Sequence, residues 1–372
     1  MPIRSSFRLA ACLVLSVCLT VAHQAQETTV GREADVPAPL RDRAVQVILD
    51  ASRSENPRLR LVALESVSVS PERARPMAQL ALGDQNPAVR YGALVTIGRL
   101  QLNGLGLAAA EMADDPNPSV RAAALFAAHR CGQSVDLTPL AQMLGSSDLE
   151  IRGNAAMLLG LLGDPGAKPM LQEMASMPVA RVDPAKLEWV RLQFAEAIIR
   201  LDPDDDRVMQ AVRASVYSQY DDIRVLGLQI VGEVGDRTMD RWLLDLLKPD
   251  NPIQVRIAAA AALAQGGLAN GRDTLVAASA YTEAQVNRDV RRFLSANRGG
   301  DGPAYEDMVQ LSSDAQSRRQ VAGEVRAQAA FGLGNLGDLP AVQRLEQMLD
   351  DPEPITAVAA AGALLRVDAA GD

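Results

Sequence analysis

The sequence predicts an all-α solenoid of about ten helical hairpins, and three observations carry that prediction. A short phrase recurs along the chain: Asn86-Pro87-Ala88-Val89-Arg90 returns as Asn117-Pro118-Ser119-Val120-Arg121. Further copies carry Asp148-Leu149-Glu150-Ile151-Arg152, Asp221-Asp222-Ile223-Arg224, Asn251-Pro252-Ile253-Gln254-Val255-Arg256 and Gly323-Glu324-Val325-Arg326. Self-similarity at a nearly fixed period marks stacked supersecondary units. The second observation is compositional: apolar residues are 48% of the chain but aromatics only 3%. A core of Ala, Leu and Val suits closely approaching helices and does not suit a β-sandwich. The third is length. A chain of 372 residues exceeds one ordinary core, whereas a stack has no single core to outgrow, because each unit touches only its neighbours.

The elements follow from the register of the phrase. With the β-branched residue as position 0, position 1 is occupied by Arg60, Arg90, Arg121, Arg152, Arg191, Arg224, Arg256, Arg291 and Arg326, and by Thr356 in a tenth copy. The copies at Arg191 and Arg291 match least well. Positions 0, 4, 7, 8 and 11 are apolar in most copies, as in Val89, Ala93, Thr96, Ile97 and Leu100, or Ile223, Gly227, Ile230, Val231 and Val234. At 100° per residue these fall on one helical face, so each copy opens a helix of about three turns. Glycine ends it, in Gly163-Asp164, Gly235-Asp236 and Gly337-Asp338, where a left-handed residue is wanted. The aspartate then caps the next helix. That helix is shorter and amphipathic, at 74–82, 137–144, 239–247 and 340–349. Asn-Pro or Asp-Pro separates it from the following copy, since the residue before proline is pushed out of the helical region.

Read as D-x-x-x-x-V-R-x-x-A-A-x-A-L-G-x-L-G-D, the phrase resembles the short HEAT-like repeat of phycobilin lyases. Residues 118–132, 149–164, 223–236 and 325–338 match it well, and the resemblance extends from about residue 40 to 372. It implies a right-handed α-α superhelix, a HEAT-like solenoid. It also implies that the position 1 arginines are structural braces, each paired with an acid near the preceding turn: Asp84 with Arg90, Asp115 with Arg121, Asp250 with Arg256. Bidentate guanidinium geometry explains why Arg and not Lys fills the position. The repeat type serves many unrelated purposes, so it says little about function.

Three segments are expected. Residues 1–22 read as a secretory signal: Arg4 and Arg8 precede the apolar run LAACLVLSVCLTVA, and Thr20-Val21-Ala22 offers a cleavage site before His23. The run is shorter than the roughly 20 residues that span a bilayer. Residues 23–38 are polar, without apolar periodicity, and read as a flexible spacer. Residues 39–372 form the repeat array. Export to the periplasm or the medium follows. The alternative is a lipoprotein of the cell envelope, anchored at Cys18 in Leu15-Ser16-Val17-Cys18. Beyond the leader, Cys131 is alone and stands where other copies place Leu100, Leu162, Val234 and Leu336, so a buried apolar role is expected.

Composition narrows the function. The net charge of −9 and only three lysines, Lys168, Lys186 and Lys248, argue against nucleic-acid binding, which needs clustered cations. There are two histidines, His23 and His129, and no His-Glu pair. The repeated His-Glu pairs with which some HEAT-like proteins act as iron hydroxylases are thus missing, as are a Gly-rich phosphate loop, a CxxC pair and a GxSxG elbow. The reading is therefore non-catalytic, with no metal and no cofactor. The expected function is an exported scaffold that binds a protein or peptide; a bilin-lyase-like or oxidoreductase enzyme of the HEAT-like superfamily is the alternative. Positions 2, 6 and 10 lie away from the apolar cluster and would line the concave face. There Tyr91, Phe126 and Met157 are expected as a contact stripe with Arg99 and Arg130 supplying charge, since exposed aromatics and arginines dominate interfaces. Irregular spacing near residues 177–184 and 299–322 predicts insertions.

Overall fold

The computed structural model describes residues 34–179, 182–297 and 303–371. The expected leader, most of the spacer, Cys12, Cys18, Arg181 and Gly299 to Gly302 lie outside the described residues. Every regular element described is helical. In chain order the α-helices are α1 (Ala38–Ala51), α2 (Pro57–Ser66), α3 (Pro71–Ala81), α4 (Pro87–Arg99), α5 (Gly106–Glu111), α6 (Pro118–Arg130) and α7 (Thr138–Gln142). They continue as α8 (Leu149–Leu162), α9 (Lys168–Ser176), α10 (Pro184–Leu201), α11 (Asp206–Ser215), α12 (Asp221–Val234) and α13 (Asp240–Leu246). The last seven are α14 (Ile253–Gln265), α15 (Arg272–Ala278), α16 (Glu283–Ala296), α17 (Pro303–Ser313), α18 (Ala315–Leu336), α19 (Leu339–Met348) and α20 (Pro354–Gly371). None is long and apolar enough to cross a membrane.

The starts and stops are those the phrase encodes. Asn86 accepts from the Ala88 amide at 2.9 Å, and Asn117 from Ser119 and Val120 at 2.9 and 3.2 Å, each offsetting orphan donors of a first turn. Asp164, Asp236 and Asp338 do the same for the Gly166, Thr238 and Ala341 amides. At position 12 Gly132, Gly163, Gly235, Gly267 and Gly337 all have positive φ, between 60° and 81°. In the copy at Arg90 that place falls to Gln101, which takes φ 48° without glycine's freedom from a Cβ.

The chain forms two compact units. In the unit from Val67 to Val234 the long helices α4, α6, α8, α10 and α12 pack in sequence order, and α3, α5, α7, α9 and α11 pack chiefly on them. The long helices are buried nearly all round: in α4 every residue from Tyr91 to Gly98 is buried. Small residues permit this. A Cβ on Gly160 of α8 would stand 2.7 Å from the Cα of Ala197 on α10, and one on Gly98 of α4 would stand 2.4 Å from the Phe126 ring on α6.

The other unit joins the first segment, through Ser66, to the chain from Gly235 onward. Here α14, α18 and α20 form the row of long helices, with α13, α15 and α19 packed on them. Because α14 packs directly on α18, the α16–α17 hairpin stands outside the row. The copy at Arg291 is therefore not a member of the stack. The N-terminal turns of α18 hold this hairpin: Arg318 donates to Leu311 O at 3.1 Å, Ser312 O at 2.7 Å and Glu283 Oε1 at 3.0 Å. Beyond α20 the row continues into α2, with α1 lying across α20. Arg41 pairs with Asp368 at 2.8 Å and Arg58 with Glu324 at 2.5 Å. The first hairpin of the sequence thus takes the place of the repeat after the last.

Candidate functional site

The recurring arginines are the first candidates, and most of them are bound up in the fold. Arg90 makes a bidentate pair with Asp115, at 2.8 and 2.9 Å, and donates to Asp84 O at 2.8 Å and Gln85 O at 3.2 Å. Arg326 repeats the arrangement with Asp351, at 2.6 and 2.7 Å, and donates to Tyr281 O at 2.7 Å. In these two copies the brace reaches forward to the acid of the next turn and backward to backbone carbonyls, whereas Arg224 also pairs backward with Asp221 at 3.3 Å. The forward reach corrects the expected Asp84–Arg90 and Asp115–Arg121 carboxylate pairs. The geometry is simple: the guanidinium is long enough to bridge two turns, and its five donors serve both. Arg121 donates to Asp115 O and Pro116 O, Arg60 to Ser54 O and Glu55 O, Arg224 to Val216 O and Arg256 to Leu247 O.

Asp250, expected beside Arg256, instead lies 4.0 Å from Arg292 with both groups exposed. Arg152 is 4% exposed, donates to Met174 O, and lies over the Phe194 ring at 5.8 Å. Burial lowers its pKa from the ordinary arginine value. Arg191 and Arg291 are exposed, and among the described residues neither braces a neighbouring turn. These are the two poorest matches to the phrase, and each sits in a helix outside the standard length or outside the row.

The expected contact stripe is overturned by burial. Tyr91 is 6% exposed, Phe126 0% and Met157 8%. Positions 2 and 6 are covered because neighbouring long helices approach closely enough to enclose them, with Phe126 filling the space that Gly98 leaves open. Tyr91 Oη is buried with no hydrogen-bond partner, and burial, with the Glu150 carboxylate adding, raises its pKa well above the tyrosine range. Cys131 is buried as expected, with its thiol pushed up by burial.

Position 10, at the last turn of each long helix, remains half-exposed. In the unit from Val67 to Val234 it reads Arg99, Arg130, Leu161, Arg200 and Glu233, all of intermediate exposure. Arg130 Nε donates to Gly98 O at 3.3 Å, which suits a cation beside the carbonyl end of a helix. Arg200 Nη2 bonds Glu196 at 2.6 Å and Glu233 at 3.3 Å, joining α10 to α12. Arg200 Nε is buried and unpaired. This triad escaped the sequence reading, although all three residues fall at positions 6 and 10; pairing between adjacent helices has no signal in a single copy of the phrase. Among the described residues no group of three His, Cys, Asp or Glu side chains is placed to hold a metal ion.

Comparison with known proteins agrees with the register. Residues 106–185 match the family described as HEAT repeats, and residues 325–351 match the PBS lyase HEAT-like repeat. No curated protein matches the chain. Among solved structures, human deoxyhypusine hydroxylase in complex with glycerol is similar at 15% identity and a TM-score of 0.35, over 88% of this chain and 96% of that one. An engineered protein is similar at 14% identity and a TM-score of 0.28, over 96% and 98%. Kap121p is similar at 10% identity and a TM-score of 0.24, over 84% of this chain and 44% of its own.

Proposed function

Since the chain is a HEAT-repeat protein of the PBS lyase HEAT-like type, we propose that it is an exported, non-catalytic scaffold that binds a polypeptide along the last turns of its long helices. The observation that carries this is the position 10 row. Arg99 and Arg130 stand one repeat apart, half-exposed, on adjacent helices of fixed spacing, with Leu161 following on α8. Repeats that place donors at regular intervals suit an extended chain, whose carbonyls and carboxylates also recur at intervals, and guanidinium groups bind both well. The enclosed Tyr91, Phe126 and Met157 support the row from beneath by fixing the helices.

Export rests on the N-terminal pattern of Arg4, Arg8 and the apolar run. Sequencing the mature N-terminus tests it: His23 supports cleavage, and a lipidated Cys18 supports the envelope-anchored alternative. A photo-crosslinking residue in place of Leu161 tests the row. Capture of a polypeptide that falls several-fold in Arg99→Gln/Arg130→Gln, with an unchanged thermal melt, supports the reading. Equal capture by both proteins, or stoichiometric metal or visible absorbance in the purified protein, overturns it in favour of another surface or an enzyme.

A further inference from the structure

The hairpin that stands outside the row carries a second surface. Helix α16 buries Val286 and Val290 and half-buries Phe293 and Leu294, which face α17 and α18. Its opposite side presents Arg288, Arg291 and Arg292, all exposed. Spaced i, i+3 and i+4, they lie together on one helical face. Among the described residues neither Arg288 nor Arg291 meets a carboxylate, and Arg292 has only the 4.0 Å approach to Asp250, where both side chains are more than two-thirds exposed. The one acid between them, Asp289, accepts from the Tyr281 hydroxyl and is thereby turned toward the start of the helix.

The register makes this face unusual within the chain. Arg291 holds the position at which Arg90 and Arg326 are locked onto Asp115 and Asp351. In α16 the hairpin has left the stack, and the aspartate of the following turn, Asp314, caps α18 instead, accepting from the Gln316 amide at 2.9 Å and Ser317 Oγ at 2.5 Å. The guanidinium therefore faces water, beside two more, on a chain whose net charge is −9. Three adjacent planar forks match carboxylates, and the acidity of the rest of the chain discourages other anions from settling elsewhere on it.

We infer that this face of α16 docks an acidic polypeptide segment, presenting two or three Asp or Glu side chains to Arg288, Arg291 and Arg292. It is a surface separate from the position 10 row, and its failure would leave that reading standing. The test uses the full chain and a fluorescein-labelled deca-glutamate peptide read by fluorescence anisotropy. The variant Arg288→Gln/Arg291→Gln/Arg292→Gln is expected to bind about tenfold more weakly, as three exposed ion pairs allow, while a second variant, Arg53→Gln/Arg207→Gln/Arg241→Gln, which removes the same charge from exposed sites elsewhere, binds like the parent. Binding should weaken as salt is raised.

Equal loss in the two variants, or no binding by the parent, overturns the inference. So does binding of the parent to phosphatidylglycerol vesicles without binding to the peptide, which would make the surface a lipid site. Salt-sensitive self-association by light scattering, abolished in the α16 variant while the peptide is not bound, overturns it in favour of a second copy of the chain.

Discussion

Arg90 and Asp115 show what a single residue of the phrase contributes. Their side chains are 13% and 4% exposed, so removing one leaves the other charged and enclosed, which typically costs about 3 kcal/mol. Arg90→Ala should lower stability by about that much, and Arg90→Lys should recover little, since an ammonium cannot keep both carboxylate bonds and both carbonyl bonds. The pH dependence has a definite sign. Burial works against the charged form of Asp115, but hydrogen bonds from Arg90 and the Asn117 amide outweigh it, and its pKa is lowered. A lowered carboxylate contributes stability above its unfolded pKa of roughly 4 and loses it as pH falls through the folded value. Urea melts of the parent and Arg90→Ala should therefore differ most at neutral pH and converge below pH 4; a gap that stays constant into acid would sink the argument. That arginine was legible as a brace because it recurs, but its partner was not. The acid nearest in sequence lies before the helix, and the acid nearest in space lies 25 residues on, at the following turn.

At the scale of the element, the sequence read well where a local interaction decides and poorly where packing does. Helix ends followed from Asn, Asp and Gly, whose side chains or φ act within a few residues, and the left-handed Gly163, Gly235 and Gly337 lie where the phrase places them. The faces did not follow. An amphipathic period predicts one buried side, whereas α4 and α14 are enclosed nearly throughout, because small residues on two flanks let neighbours close in on both. Gly160 separates the two influences. On helix propensity alone, Gly160→Ala gains about 1 kcal/mol. Its new Cβ would lie 2.7 Å from Ala197 Cα and 2.9 Å from its Cβ, so α8 and α10 must part, at about 1–3 kcal/mol. The net effect should be a lower melting temperature, while Gly145→Ala, with nothing within 4 Å of its Cβ, should be tolerated. A Gly160→Ala protein that melts higher than the parent would show that propensity, and not helix approach, sets the glycine.

At the scale of the whole chain, the order of the sequence and the order of the stack part company. A repeat array ordinarily ends in polar capping faces, because a terminal unit has no neighbour to cover its apolar side. Here α20 has a neighbour: α1 and α2 bury Ala44, Ile48, Ala63 and Leu64 in the unit that also holds α20. The apolar composition of α20, whose Ala360, Ala361, Ala363 and Leu364 are all fully buried, is explained by that cover. No linear reading of the phrase could supply it, since residues some 300 positions apart share no local signal. The contact is close at one point. A Cβ on Gly362 would stand 2.8 Å from Ser66 Cβ and 3.2 Å from its Cα, and both atoms belong to the last residue of α2, where no flexible side-chain end can give way. Gly362→Val should therefore wedge the first hairpin off α20. Amide exchange in α1, α2 and α20 should quicken together, a hydrophobic dye should bind where the parent binds none, and α4 to α10 should keep their protection, because they belong to the other compact unit. Faster exchange in α20 with α1 and α2 unchanged would mean that the valine disturbs its own helix and that the first hairpin is held by something other than this contact.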